Sequence, residues 1–82
     1  LKSRDWLQNA LEKLAEEKKE ILSVYPSCTN FIFVKIKQAE RVFEKLKERG
    51  VIVRLISGHL RITTGNAEEN RVVLQELKKT LN

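Results

Sequence analysis

The sequence has no methionine, one cysteine, one proline and three glycines among its 82 residues. A single cysteine excludes an internal disulfide and a cysteine zinc cluster, and it favours a reducing, cytoplasmic setting. An intact translation product begins with methionine, which is trimmed only before a small residue. Because the sequence starts at Leu1 and holds no methionine, we expect it to be a piece of a longer protein whose remainder contains further functional groups.

Long apolar stretches are also lacking. The longest run, Phe31-Ile32-Phe33-Val34, has four residues, whereas a membrane-spanning helix needs about 20, so no membrane partner is expected. A hydrophobic content of 41% without low-complexity segments is typical of an ordered domain, and 82 residues suffice for one. We therefore predict one domain over residues 1–82.

Charge is plentiful, with 16 basic residues against 11 acidic ones and a net charge of +5. This excess is compatible with an anionic partner. Lysine and glutamate are interleaved along segments such as 44–49, which is typical of a solvated surface and not of a clustered nucleic-acid footprint. We expect no nucleic-acid partner. The alternative is a protein of a different functional class, a stand-alone basic module that binds RNA. Such a module calls for exposed aromatic residues on its sheet, whereas Phe31 and Phe33 lie in a run predicted to be buried.

The spacing of apolar residues predicts the order helix, strand, helix, strand, strand, helix. The predicted elements are a helix over 2–22, a strand over 30–37, a helix over 38–49, a strand over 51–56, a turn at Ser57-Gly58, a strand over 59–64 and a last helix capped by Asn66 and Glu69. This order predicts an α/β two-layer sandwich, with a small, mostly antiparallel or mixed sheet and its helices on one face. The apolar run of the first strand is expected to be covered on both faces. The unit over 30–53 is expected to form a right-handed crossover if its two strands are parallel neighbours.

Two arginines, Arg54 and Arg61, flank the predicted turn. Strand alternation places both on the face opposite the apolar residues that meet the helices. A guanidinium is always charged and matches carboxylate or phosphate oxygens in a bidentate manner, so the pair is a candidate anion site, with Thr63 and Thr64 adding hydroxyl groups. The other interpretation is surface decoration, in which the stems cover apolar surface and the heads reach water. Alternation alone does not separate the two.

The lone histidine and the lone cysteine are given no functional role. His59 is interpreted as a solvent-facing polar residue beside the turn, and Cys28 as a small, partly buried residue. Neither belongs to a set of cysteine, aspartate and glutamate residues at metal-ligand spacing. No metal site is therefore expected.

The stretch GVIVRLISGHLRITTGNAEENRVVLQEL resembles the C-terminal end of histidinol-phosphate aminotransferases. That family reads G-V-x-V-R, a short glycine-containing loop, L-R-I-T-x-G-x-x-E-E-N and a leucine-rich helix. The segment YPSCTNF at 25–31 resembles the family's P-S-x-A-N-F segment, and the similarity extends over residues 23–81 in order and spacing. The chain departs from the family in a short loop between Arg54 and Leu60 and in Cys28-Thr29, both of which leave room for another substrate.

The resemblance implies the small C-terminal domain of a fold-type I pyridoxal-phosphate aminotransferase, homodimeric when intact. Such an enzyme converts histidinol phosphate and 2-oxoglutarate into imidazole-acetol phosphate and glutamate in histidine biosynthesis, so its partner is a small phosphorylated amino acid or amino alcohol. The resemblance assigns the substrate α-carboxylate to Arg61 and the phosphate to Arg54, and it places Asn30 near the active site. A related threonine-phosphate decarboxylase or another class I/II aminotransferase is the alternative.

The same resemblance places the catalytic groups elsewhere. In the family, the lysine that binds pyridoxal phosphate and the acidic partner of the cofactor's ring nitrogen lie in the large domain. No lysine in this sequence matches that motif. The chain alone is therefore expected to be inactive.

Overall fold

A four-stranded sheet with helices packed on one face forms the structure, a computed structural model that describes residues 2–26 and 30–81. In chain order the elements are α1 (Lys2–Glu17), β1 (Ile21–Val24), β2 (Phe31–Ile36), α2 (Ala39–Glu48), β3 (Arg54–Ile56), β4 (His59–Thr63) and α3 (Ala67–Leu81). The strand order is β1-β2-β4-β3, and all neighbouring strands are antiparallel. The predicted two-layer sandwich is confirmed. Because β4 lies between β2 and β3, the condition for a crossover between parallel neighbours is not met.

The hydrophobic core lies between the sheet and the helices. Alternate residues of the two central strands face it, namely Ile32, Val34 and Ile36 of β2 with Leu60 and Ile62 of β4, and all are buried. The helices contribute Leu7, Leu11, Leu14, Val42, Leu46, Leu77 and Leu81. Burying one such side chain contributes about 1.5–3 kcal/mol. A one-residue slip of register would turn the apolar set of a central strand toward solvent, so the core decides which side chains face outward.

An edge strand replaces the end of the predicted first helix. The prediction of a helix over 2–22 is wrong at its end, because α1 stops at Glu17 and Ile21–Val24 form β1. Ile21 pairs with Ile36 of β2 and is buried. The spacing of Ile21 from the leucines of α1 fits the helix stripe, but a strand buries this side chain equally well, and pairing with β2 settles the choice.

The apolar run of β2 is covered on one face only, so the prediction of cover on both faces is wrong. Ile32 and Val34 are fully buried, whereas Phe33 is 36% exposed and Phe31 is half-buried. The helices of the described part lie on one side of the sheet, and alternation directs the two phenylalanines to the other side. We call that side the open face. Its described residues are Ser23, Tyr25, Phe31, Phe33, Lys35, Arg54, Ile56, His59, Arg61 and Thr63.

The strand predicted over 51–56 is shorter in the structure and begins at Arg54. Val51 and Val53 are nevertheless buried in the core. The Val51 N–H donates to the Leu46 carbonyl at 2.9 Å, an oxygen that also accepts from the Arg49 N–H at 3.1 Å, so the backbone of Val51 is bound to the end of α2 and not to a neighbouring strand.

The hairpin turn at Ser57-Gly58 determines the register of β3 and β4. Ser57 has φ 45° and Gly58 has φ 81°, and two consecutive positive values are the pattern of a type I′ turn, whose twist matches that of the strands. With this turn, Ile56 pairs with His59 and Arg54 pairs with Arg61. The turn therefore brings the two arginines directly opposite each other.

The last two helices lie close to their predicted positions. The helix predicted over 38–49 is observed as Ala39–Glu48. The predicted cap of α3 is confirmed, because the Asn66 N–H donates to Glu69 Oε1 at 2.9 Å and the Glu69 N–H donates to Asn66 Oδ1 at 2.8 Å. Within residues 2–26 and 30–81, no helix has the length and apolar character needed to cross a bilayer.

Candidate anion-binding site

Arg54 and Arg61 lie side by side on the open face. They are Cα partners on adjacent strands, a position in which Cβ atoms are about 4.5–5.5 Å apart. Arg54 is exposed, whereas Arg61 is half-buried. The placement of both guanidinium groups on the face away from the helices agrees with strand alternation.

Neither arginine has a carboxylate partner within the described ranges. The ion pairs Arg4–Asp5, Arg49–Glu76 and Lys79–Glu76 involve no residue of the open face. Like charges directly opposite each other on a sheet are destabilising. A bound anion that accepts hydrogen bonds from both guanidinium groups would relieve this repulsion.

Arg61 is held more closely than Arg54. Its Cζ lies 4.3 Å from the centroid of the Phe31 ring, within the range of a cation–π interaction. Its Nε is enclosed and has no hydrogen-bond partner in the described part of the chain. The sequence did not reveal this contact, because it depends on the pairing of β2 with β4.

The two threonines differ in what their hydroxyls do. Thr63 is exposed on the open face, where it pairs with Phe31. Thr64 Oγ1 donates to the Asn30 carbonyl at 3.2 Å, and the Thr64 N–H donates to the same oxygen at 2.9 Å. Only Thr63 therefore presents an uncommitted hydroxyl near the arginines.

Asn30 directly precedes β2 and is exposed. Its carbonyl is fixed by the two bonds from Thr64, but no contact between its side chain and the arginine pair is observed among the described residues. Cys28 lies outside the described residues.

An apolar hollow adjoins the arginines on the open face. It has a volume of about 430 Å³ and is lined by Tyr25, Phe33, Ile56, Ser57 and His59. The rings of Tyr25 and His59 are 5.7 Å apart, and His59 Nδ1 lies 2.9 Å from the Ser57 carbonyl. His59 is half-buried on the open face, so its interpretation as a solvent-facing polar residue stays a prediction. The sequence offered no sign of the hollow, since Tyr25 reaches it only through the unpredicted strand β1.

Asn70 ties the end of β4 to α3. Its side chain is fully buried, where Oδ1 accepts from the Gly65 N–H at 2.8 Å and Nδ2 donates to the Gly65 carbonyl at 3.3 Å. Both bonds fix the chain that follows the arginine strand. The capping residues were predicted, but this buried amide was not.

Comparison with known proteins shows extensive similarity to one group of enzymes. No protein-family model matches the chain. The histidinol-phosphate aminotransferase of Ruminiclostridium cellulolyticum is 35% identical over 92 aligned positions that cover 94% of this chain, and that of Thermoanaerobacter pseudethanolicus is 41% identical over 99% of the chain. The chain is homologous to part of the histidinol-phosphate aminotransferases. It spans only 26% and 23% of the length of these two relatives.

A solved structure shows the same fold. The chain matches the histidinol-phosphate aminotransferase from Clostridium acetobutylicum with a TM-score of 0.83 at 20% identity, over 99% of this chain and 26% of that one.

The alignment with the R. cellulolyticum enzyme runs over 92 positions, more than the 82 residues of the chain. The R. cellulolyticum enzyme therefore has additional residues within the matching region.

Proposed function

We propose that this chain is the substrate-binding small domain of a pyridoxal-phosphate aminotransferase that acts on histidinol phosphate and 2-oxoglutarate. The products are imidazole-acetol phosphate and glutamate. The observation that supports the proposal most is the arginine pair, directly opposed on the open face without a carboxylate partner within residues 2–26 and 30–81. Homology to histidinol-phosphate aminotransferases over nearly the whole chain gives the pair its enzyme class.

The two arginines take different parts in this proposal. Arg61, half-buried and stacked on Phe31, binds the α-carboxylate of glutamate or 2-oxoglutarate in a bidentate manner. Histidinol phosphate has no carboxylate, so its phosphate takes the same position. That group is larger and more highly charged, and the exposed neighbour Arg54 completes its neutralisation. Asn30 is assigned to the edge of the same site.

The cofactor is assigned to the rest of the polypeptide. Pyridoxal phosphate supplies the electron sink of aminotransferase chemistry and is held by a lysine through a Schiff base. Lys35 is the only lysine in the four strands of the described part, and it is exposed on the open face; a Schiff-base lysine is instead activated by desolvation or a neighbouring cation. Lys35 therefore does not fit the role of the cofactor lysine, and the chain alone is expected to be inactive.

Homodimer formation and a cytoplasmic location belong to the same proposal for the intact enzyme. The short hairpin of two residues between β3 and β4 is the feature that favours testing other phosphorylated amino acids, including the substrate of threonine-phosphate decarboxylases. Homology over nearly the whole chain favours histidinol phosphate over that alternative.

The structure removes one argument against RNA binding, and the homology adds a different one. Phe31 and Phe33 lie on the open face after all, which is where RNA-binding sheets display their aromatics. The homology, however, is to an enzyme of small-molecule metabolism. Titration of the chain with a fluorescent oligonucleotide at two salt concentrations tests the alternative, and salt-sensitive micromolar binding would restore it.

Substitution of the arginines in an active enzyme tests the proposal. In a chimera, this chain replaces the matching segment of the R. cellulolyticum enzyme. Arg61→Ala is expected to lower kcat/KM for both glutamate and histidinol phosphate by roughly 30- to 1000-fold, the effect of losing about 2–4 kcal/mol of charged hydrogen bonding. Arg54→Ala is expected to lower kcat/KM mainly for histidinol phosphate.

Arg41→Ala is the control, because Arg41 is an exposed arginine on α2 and should leave kcat/KM unchanged. An Arg61→Ala chimera as active as the parent chimera would contradict the proposal. If the chimera itself is inactive, titration of the 82-residue chain with inorganic phosphate, followed by NMR, takes the place of the activity assay. Chemical-shift changes centred on β3 and β4 are then the expected result.

A further inference from the structure

We propose that Phe31 is the positioning residue of Arg61. The ring of Phe31 holds the guanidinium of Arg61 so that the terminal Nη groups meet the anion. The inference rests on the proposed anion-binding role of Arg61 and adds a residue to that site. Phe31 itself touches no ligand in this arrangement. It acts through the orientation of the arginine.

Phe31 and Arg61 are diagonal neighbours on paired strands. Phe31 pairs with Thr63, and Arg61 pairs with Phe33, so the two side chains leave the same face two residues apart in register. Diagonal neighbours on a sheet lie within reach of long and aromatic side chains. The distance of 4.3 Å from Arg61 Cζ to the ring centroid is well inside the roughly 6 Å limit of cation–π attraction. The ring of Phe31 therefore lies directly against the guanidinium.

The enclosed Nε determines which edge of the guanidinium remains for a ligand. This atom is shielded from solvent and has no hydrogen-bond partner within residues 2–26 and 30–81. Shielding a polar N–H without a partner is unfavourable, and the attraction between the charge and the ring offsets part of that cost. Because Nε is enclosed, the Nη groups are the donors that an anion meets.

Arg54 provides the internal comparison. It carries the same charge at the directly opposed position, but it is exposed and has no recorded ring contact among the described residues. An arginine already held in one orientation loses less conformational freedom when it binds an anion. The ring of Phe31 therefore makes Arg61 the primary anchor of the pair.

Phe33 is the matched control for Phe31. Both are phenylalanines of β2 on the open face, and Phe33 is the direct cross-strand partner of Arg61. The ring of Phe33, however, lines the apolar hollow with Tyr25 and His59, and the guanidinium stacks on Phe31. A loss of apolar surface affects both positions, whereas a loss of stacking affects only Phe31.

The orientation is tested by NMR on the Arg61 Nε–H of the 82-residue chain. In the wild type, this proton is expected to show a ring-current shift and slow exchange with water, because a ring lies against the guanidinium and Nε is enclosed. Phe31→Leu should remove the shift and speed the exchange, while Phe33→Leu and Phe31→Tyr should preserve both. Backbone amide spectra of β2 and β4 report whether each variant is folded.

The functional consequence is tested by titration with inorganic phosphate and with acetate. Phe31→Leu is expected to raise the dissociation constants of both anions by about three- to tenfold. This is the size of a cation–π contribution at a partly exposed site. Phe31→Tyr should restore wild-type binding, and Phe33→Leu should not change it. Pentafluorophenylalanine at position 31 keeps the shape of the ring and reverses its charge distribution, so it should weaken binding even where Phe31→Leu does not fold.

Two failures are distinguishable. If Arg61→Ala leaves phosphate and acetate binding unchanged, the proposed function of the arginine fails and the role of Phe31 fails with it. If Arg61→Ala abolishes binding but Phe31→Leu and the fluorinated ring both bind like the wild type, only the positioning role is overturned. Equal weakening by Phe31→Leu and Phe33→Leu would also overturn it, since that result reports a general loss of packing.

Discussion

Arg54 and Arg61 have the same chemistry and differ in their surroundings. Arg61 is half-buried against Phe31, whereas Arg54 reaches solvent. Both guanidinium groups match carboxylate and phosphate oxygens in the same way, so what distinguishes Arg61 is the ring that lies against it. Strand alternation in the sequence predicts the face of both residues. It does not predict which of them is stacked, because that depends on the cross-strand neighbour.

Glu76 is the residue whose ionisation the fold changes most clearly. Desolvation by burial raises its pKa, but hydrogen bonds from Arg49 and Lys79 and their positive charges outweigh that effect and lower the pKa below its ordinary value of 4.5. A carboxyl whose pKa is lower in the folded state stabilises the fold above its unfolded pKa, and this contribution is lost as the pH falls through the folded value.

Glu76→Gln should therefore lower the melting temperature most at neutral pH. The difference from the wild type is expected to shrink as the pH falls below 4.5, since protonation then removes the same charge from the wild type. Thermal unfolding followed by circular dichroism across this range measures it. Glu44→Gln is the control, because Glu44 is exposed on α2 and forms none of the ion pairs recorded within the described ranges. A constant difference at all pH values would contradict the prediction.

At the scale of elements, the β3–β4 hairpin is the part of the site most fully predicted. The dipeptide Ser57-Gly58 between two β-branched runs indicates a two-residue turn, and the structure has it with positive φ at both residues. The strand β1 was not predicted, because its four residues continue the apolar spacing of α1. Local periodicity does not distinguish a short edge strand from one more helical turn.

Gly58→Ala should destabilise the hairpin by about 1–2 kcal/mol, the cost of a left-handed conformation for a residue with a Cβ. An added Cβ would meet no atom within 4 Å, so the effect comes from the backbone alone. Urea unfolding measures the change. Ser57→Asn is the control and should be neutral or stabilising, since asparagine tolerates positive φ in this turn type. Equal stability of Gly58→Ala and the wild type would show that the turn takes another form.

At the scale of the whole molecule, the open face combines apolar and cationic groups. Phe33 and Ile56 are partly exposed there beside two arginines, and the chain as a whole has a net charge of +5. In the proposed enzyme this face turns toward the large domain and the substrate. In the isolated chain it is available to a second copy, and charge repulsion opposes that contact.

Self-association of the 82-residue chain is therefore expected to depend on salt. Sedimentation should show a stronger concentration dependence at an ionic strength of about 1 M, where the Debye length is about 3 Å, than at about 0.01 M, where it is about 30 Å. Ile56→Ser should weaken the association. Ile52→Ser should not, because Ile52 is 88% exposed but lies away from the open face. A monomer at every concentration and salt level would contradict the prediction.

The sequence by itself determined the local features: the turn, the cap of α3, the helix α2, the alternation of β4, and the face on which Arg54 and Arg61 lie. Each follows from short-range periodicity or from backbone preferences of a few residues. Tertiary structure decided the edge strand β1, the strand order, the exposure of Phe33, the contact of Phe31 with Arg61 and the hollow around Tyr25 and His59. These features require residues distant in sequence to meet, and which of them meet is set by burial of one shared core.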